Sequence, residues 1–158
     1  MDTASPVIRL ARADDDAFIL DLCGRFVECE LPAWRKRHEC ANGIRDDVQR
    51  HLEEEPAGSH LFVAEDDDGH SVGFLHLQTV TDHFTQAQNC HIADLAVAPG
   101  QDGKGFGSAL LAFAEAWAKE HRCRHMTLAV FPANARAIGL YQHHGYGTDL
   151  LRMAKLVK

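Results

Sequence analysis

A single α+β domain built around a mixed sheet is the fold class this sequence predicts, and three observations predict it. The 158 residues suit one domain with a full core and leave no room for two of ordinary size. Apolar patterning gives the element order β-α-α-β-β-β-α-β-α-β, with strands following one another in the middle of the chain. A late glycine-rich turn, carrying Gly103, Gly105 and Gly107, joins a strand to a helix. Residues 1–158 therefore read as one domain, without repeat, linker or low-complexity segment.

Each element has its own signal. Val7 to Ala11 alternates as a strand. Asp14 caps a helix running to about Cys29, with Phe18, Leu22 and Phe26 on one face, and Leu31-Pro32 breaks it. Trp34 to Glu55 is a second helical region, expected to be interrupted near Asn42-Gly43. His60 to Glu65 and Ser71 to Val80 are partner strands around the turn Asp66 to Gly69. After a loop through Asn89, Ile92 to Val97 is a strand, and Ser108 to Lys119 a helix with an apolar face. Met126 to Val130 is strand-like. Asn134 then caps a helix, with Ala135, Ile138 and Tyr141 at helical spacing, that stops at Gly145. Thr148 to Val157 is expected as a terminal strand.

The glycine turn carries the chemistry. It leaves backbone N–H groups unpaired at a helix N-terminus, where the helix dipole adds partial positive charge, so it suits a phosphate or diphosphate. Glycine lets the ligand's oxygens approach the backbone. A dinucleotide fingerprint would need GxGxxG at the first strand-to-helix turn, whereas these glycines are spaced GxGxG and come late. A P-loop would need Lys-Ser/Thr after its last glycine, but Ser108-Ala109 follows Gly107. The bland reading is a tight turn with no ligand.

A second segment shifts that balance. The strand ending at Val130 leads into Asn134, Ala137, Tyr141, Gly145 and Tyr146, which match N-x-x-A-x-x-x-Y-x-x-x-G-F/Y. With the glycine turn, which follows Q/R-x-x-G-x-G/A after a strand, this resembles the GNAT superfamily of N-acetyltransferases. The resemblance is close from Ile92 to Tyr146 and otherwise lies in element order. At the Q/R slot stands Asp102, with Gln101 one residue early. A carboxylate beside a diphosphate costs roughly 1 kcal/mol per exposed pair at about 5 Å, and Lys104 offsets part of it.

The resemblance implies acetyl-CoA as cosubstrate and transfer of its acetyl group to a primary amine of a small molecule, peptide or protein. It implies that the Val97 N–H bonds the acetyl carbonyl, that Leu95 lines the pantetheine channel, and that the diphosphate rests on amides from Gly103 through Lys104, Gly105, Phe106 and Gly107 to Ser108. Tyr141 would protonate the departing thiolate; otherwise it is a core aromatic. Asn134 would reach the cofactor, or simply cap its helix. The base is open. His91 occupies the place of a glutamate used by histone acetyltransferases of the superfamily, and strict alternation would put it on one face with Ala93, Leu95 and Val97, opposite Asp94. A water relayed by His76 or Glu28 is the other choice. Phe26, Glu28, Glu30, Trp34 and His76 are the candidates for the acceptor pocket. A homodimer is also suggested. The competing class is a non-catalytic CoA-binding sensor or interaction module on the same scaffold, with Asp102 as the sign of drift.

Bulk properties narrow the field. A net charge of −7 argues against a nucleic-acid surface and is compatible with a cationic amine. No apolar run approaches a membrane span and no signal-like segment follows Met1, so a cytoplasmic location is expected. Five scattered cysteines without a CxxC pair read as reduced thiols, mostly buried. His121 and His125 are spaced HxxxH but lack a third ligand, so no metal is expected.

Overall fold

The computed structural model describes residues 5–158. Five strands form one sheet in the order β1-β2-β3-β4-β5: β1 (Val7–Leu10), β2 (Ser59–Glu65), β3 (Ser71–Thr81), β4 (Gln88–Val97) and β5 (Met126–Leu128). The first four are antiparallel neighbours, while β5 runs parallel to β4. The sheet is therefore mixed, with the parallel pair joined by a helical crossover. The helices are α1 (Asp16–Leu22), α2 (Arg37–Glu54), α3 (Phe106–Glu120) and α4 (Ala135–His143).

The sheet separates two cores. Phe62, Ala64, Leu75, Leu77, Cys90 and Ile92 pack against Leu110, Leu111, Ala114 and Trp117 of α3. Val63, Phe74 and Ala96, on the other face, meet Ile19 and Leu22 of α1 and Val48 of α2. The period-2 strands and period-3.6 helices place these side chains inward, as their patterning requires.

Four expectations need correction. The first helix is short, continued from Cys23 to Val27 as a 3-10 turn rather than as α-helix to Cys29. Asn42-Gly43 does not interrupt α2, because Gly43 is exposed on a helix already held by Val48 and by its neighbours on α1. Strand β4 begins earlier than Ile92, at Gln88. The terminal strand is absent: Thr148 to Val157 pairs with no strand and its residues are exposed, Leu151 at 81% and Met153 at 89%. A strand pattern needs a neighbouring edge to become a strand, and this segment does not lie along the edge of the three-residue β5.

Strand β4 also breaks its own alternation. Asp94 pairs with His76 and Ile92 with Leu77, so Ala93 has no partner and forms a β-bulge. The extra residue shifts the phase of everything after it. Cys90, Ile92, Leu95 and Val97 consequently face α3, whereas Asp94 and Ala96 face α1 and α2. His91, paired with Gln78, shares the α2 face with Asp94 and not the Leu95 and Val97 face.

Candidate active site

The β4–β5 ladder runs from Cys90/Met126 to Ile92/Leu128 and then stops, so the two strands fork. Ala98 donates its N–H to Val72 O at 2.7 Å, toward β3. Alternation turns the neighbouring Val97 N–H the other way, into the fork. At the mouth of this fork α3 begins. Gly105, at φ +87°, is its N-cap, and no side chain caps the helix. The N–H groups of Phe106, Gly107 and Ser108 make no backbone hydrogen bond among the described residues. A Cβ on Gly107 would stand 3.2 Å from Leu140 of α4 and 3.9 Å from Val97, so helix start, strand end and α4 meet there.

Asp102 does not face this turn as an isolated charge. Arg25 Nη2 bonds its Oδ2 at 3.0 Å, and Arg136 Nη2 lies 3.5 Å from its Oδ1. The carboxylate is thus held between two guanidinium groups, with Arg25 only 21% exposed. Arg25 Nη1 is buried without a hydrogen-bond partner among the described residues. Free helix amides, two arginines and one orphaned donor together fit the anionic end of a CoA molecule. The orphan is informative because a buried donor left unpaired in the resting protein is costly unless a ligand completes it.

Helix α4 closes the fork. Asn134 caps it, its side chain accepting from the Ala137 N–H at 3.3 Å. Gly145 ends it at φ +92°, a conformation in which side chains other than glycine are strained. Tyr141 and Tyr146 pack edge to face at 5.7 Å beneath it. Burial, with Asp94 adding negative charge nearby, raises the Tyr141 phenol above its ordinary value, so it holds its proton. Tyr146 is pushed up to about 12, chiefly by burial, and its hydroxyl donates to Met126 Sδ at 3.5 Å.

On the opposite face lies a cavity of about 550 Å³ lined by His51, Ser59, Gln78, His91 and Ala93 among others. His91 Nδ1 bonds Thr127 Oγ1 at 2.9 Å, and burial lowers its pKa, leaving a neutral imidazole at pH 7. The residues expected to line an acceptor pocket are dispersed. Phe26 packs edge-on against Phe74 at 6.1 Å, and Glu28 pairs loosely with Arg25 at 3.6 Å. Trp34 sits in a separate, smaller hollow with Arg35, Lys36, Glu39 and Cys40. His76 is fully buried and meets the cavity through Ser59 and through the His51 ring 4.7 Å away, so it is a partner of cavity residues and not part of the wall.

The acetyltransferase (GNAT) family model matches residues 25–146, most of the chain and the whole fork. The chain belongs to the GNAT family. Streptothricin acetyltransferase of Streptomyces lavendulae is 37% identical over 94 residues, 60% of this chain and 48% of that protein. The chain thus spans about half the length of the curated relative it matches. A candidate acetyl transferase from Pyrococcus furiosus shares 24% identity at a TM-score of 0.77, over 97% of this chain and 100% of that one. A transcriptional regulator from Bacillus halodurans shares 21% at a TM-score of 0.72, over 96% and 100%. These two likenesses establish the GNAT fold.

Several residues of the candidate site have no motif or spacing signal in the sequence. Arg25 and Arg136 lie far from Asp102 along the chain, and no local spacing links them. His51 carries no motif, and Ser59 lies one residue before the strand expected from His60 to Glu65. Their only sequence signal is chemical type: a histidine on a helix whose neighbours are otherwise charged or apolar. The HxxxH pair does not share a helix face, since α3 ends at Glu120; His121 stacks on Trp117 at 3.7 Å, and His125 lies just before β5. The five cysteines are unpaired as expected, but only Cys23 and Cys90 are fully buried. Both of those thiols are pushed up to about 12, first by burial, and are inert at neutral pH. Asp66, Asp68 and His70 draw together in the β2–β3 turn, where backbone N–H groups already occupy Asp66. No helix among the described residues is long and apolar enough to cross a membrane.

Proposed function

We propose that this chain is an acetyl-CoA-dependent N-acetyltransferase acting on a primary amine. The observation that carries the reading is the fork: β4 parts from β5 beside an uncapped helix N-terminus, and Leu140 of α4, next to Tyr141, stands at that helix start. When bound, acetyl-CoA supplies the activated acetyl thioester. The amides of Phe106, Gly107 and Ser108, with Gly103, Lys104 and Gly105 shaping the turn, would hold its diphosphate beside Arg25. Asp102 orients that arginine. Leu95 and Val97 would flank the thioester arm, and the Val97 N–H is a single donor for the charge developing on the carbonyl oxygen. One such donor contributes on the order of 3 kcal/mol to the transition state. Tyr141 returns a proton to the leaving sulfur, a role suited to a phenol whose ionised form is disfavoured. Asn134 serves α4 first, as its cap.

The amine must lose a proton before it attacks, and the neutral histidines of the cavity, His91 and His51, are the groups suited to receive it. The cavity opposite the cofactor side lets the amine approach from its own direction. Streptothricin is one acceptor to try, on the strength of the relative's name. A cytoplasmic site of action and self-association as a homodimer belong to the same proposal; the exposed apolar side chains of the C-terminal segment support the second.

The test is thiol release from acetyl-CoA with streptothricin, spermidine, lysine and a peptide N-terminus as acceptors. Turnover is expected with at least one amine. Tyr141→Phe, which keeps the ring, should lower kcat by roughly 10- to 1000-fold with CoA affinity unchanged. Binding of CoA without turnover on any amine would favour the non-catalytic module.

A further inference from the structure

Four polar side chains from four elements form one unbroken chain beside the cavity. His51 Nδ1 on α2 lies 2.7 Å from Ser59 Oγ at the start of β2. That oxygen lies 2.7 Å from His76 Nε2 on β3. His76 Nδ1 lies 2.9 Å from Asp94 Oδ2 on β4, immediately after the bulge. His76 is 0% exposed and Asp94 and His51 are 8% exposed, whereas His51 and Ser59 also line the cavity. Three of the four, His51, His76 and Asp94, are buried ionisable side chains. A core needing only packing would be at least as stable with apolar side chains in their place.

The directions of the bonds follow from chemistry. Arg50 Nη2 approaches His51 Nε2 at 3.3 Å, and a guanidinium can only donate. His51 Nε2 therefore bears the lone pair and Nδ1 the proton, which goes to Ser59 Oγ. Ser59 in turn donates to His76 Nε2, and His76 Nδ1–H donates to the Asp94 carboxylate. Every donor meets an acceptor, and the cavity end is the basic His51 Nε2, whose lone pair accepts from the half-exposed Arg50 guanidinium. Gly58 fixes the geometry: it holds φ +81°, a Cβ there would lie 2.7 Å from Thr79 Oγ1, and its carbonyl accepts from Thr79 N–H at 2.8 Å.

We propose that His51, Ser59, His76 and Asp94 are a proton relay, in which His51 takes the ammonium proton of the acceptor and the other three carry its charge into the sheet. This rests on the acetyl-transfer reading and names its base. The acceptor's ammonium displaces the Arg50 guanidinium from His51 Nε2, and its N–H bond breaks as an N–H bond forms there. His51 passes its Nδ1 proton to Ser59 Oγ, and Ser59 passes its own to His76 Nε2. The chain ends with neutral His51 and a His76 imidazolium against the Asp94 carboxylate, at unchanged heavy-atom positions. Release of the product lets the proton return to solvent by the reverse path.

The charges around His51 are consistent with this. Asp47 Oδ1 at 3.6 Å and Arg50 lie on its own helix, the His76 ring is 4.7 Å away on β3, and Asp94 and His91 face it from β4. Burial, then His76, pulls the His51 pKa down, so the ring is neutral and able to accept at pH 7. Asp47 acts against this shift, and its pairing with Arg50 at 2.7 Å reduces that effect.

Ser59→Ala removes the middle of the chain while leaving His51 at the cavity and His76 on Asp94. With the best acceptor of the thiol-release panel, kcat/KM should fall by roughly 100-fold. The proton inventory in mixed light and heavy water should change from curved to linear, and Ser59→Thr should restore both. A merely structural hydroxyl would alter the melting temperature without altering the inventory. Unchanged kcat/KM and inventory in Ser59→Ala overturn the relay while acetyl transfer stands, and a loss confined to His91→Ala would make His91 the base. If no amine in the panel turns over, acetyl transfer is what fails. The relay is then judged on the resting protein, where imidazole nitrogen NMR at pH 8 should show Nδ1–H tautomers at both His51 and His76. An Nε2–H tautomer at either ring overturns it.

Discussion

Asp102 shows how a residue that looks wrong for its position can be made harmless by neighbours. In the sequence it is a carboxylate where a cationic or neutral side chain belongs, next to a diphosphate site. In the structure Arg25 and Arg136 flank it, so its negative charge is offset by two guanidinium groups. Asp102→Asn keeps the shape and removes the negative charge, and it should tighten CoA binding a few-fold, consistent with roughly 1 kcal/mol per exposed pair at about 5 Å. Calorimetric titration should show the gain shrinking as salt is raised. Weaker binding in Asp102→Asn would mean that its main contribution is to hold the two arginines in place. None of this was legible from the aspartate alone, because spacing reports on neighbours along a helix or strand and not on side chains that converge through folding.

The elements read most faithfully were those written in short-range chemistry. Asn134 and Gly145 delimit α4 because capping and the left-handed stop are decided within four residues. The glycine turn was legible for the same reason. Gly105→Val should test it: at φ +87° a β-branched residue is strained, and its side chain would enter the space before the α3 amides. For the wild-type protein, CoA at 100 times its Kd should add about 2.7 kcal/mol of stability, visible as a rise of several degrees in Tm. Gly105→Val should lose that rise and, because of the strain at positive φ, unfold below the wild-type temperature without ligand. A retained shift would remove the diphosphate from this turn. The bulge, by contrast, left no trace in the sequence, since His91, Ala93, Leu95 and Val97 alternate as well with it as without it. The terminal segment failed for the opposite reason. Its pattern is strand-like, but an edge to pair with is a tertiary fact.

At the scale of the whole molecule, the fold class and element order followed from pattern, while the relay depends on four elements meeting and was invisible. The buried histidines carry a consequence for stability. Burial is the leading cause that lowers the pKa of His51, His60 and His91, so the folded state binds fewer protons at these sites than the unfolded chain. Stability is then full above the unfolded histidine value, near 6.5, and declines as pH falls through the depressed folded values. Asp15 behaves alike in its own window: Arg9 lowers its pKa, so its contribution persists above the ordinary carboxylate range and disappears below it. Urea unfolding midpoints should therefore fall between pH 7 and pH 5 and fall further toward pH 3. A flat midpoint from pH 7 to pH 5 would contradict the burial of these rings.

The unpaired Ala93 makes one strand serve two customers. Residues before it present their side chains to one chamber and residues after it, by the same count, to the other. Under the proposed reaction, the amine would be read by 91 and its surroundings, and the thioester by 95 and 97, with a single residue acting as the phase boundary between them. Substitutions that retune which amine is accepted can then accumulate on the α2 face without disturbing the donor side. Were Ala93 paired in register, with no bulge, strict alternation would turn His91 toward α3 and Ile92 toward the cavity. The independence of donor and acceptor recognition in this molecule thus has the length of one amino acid.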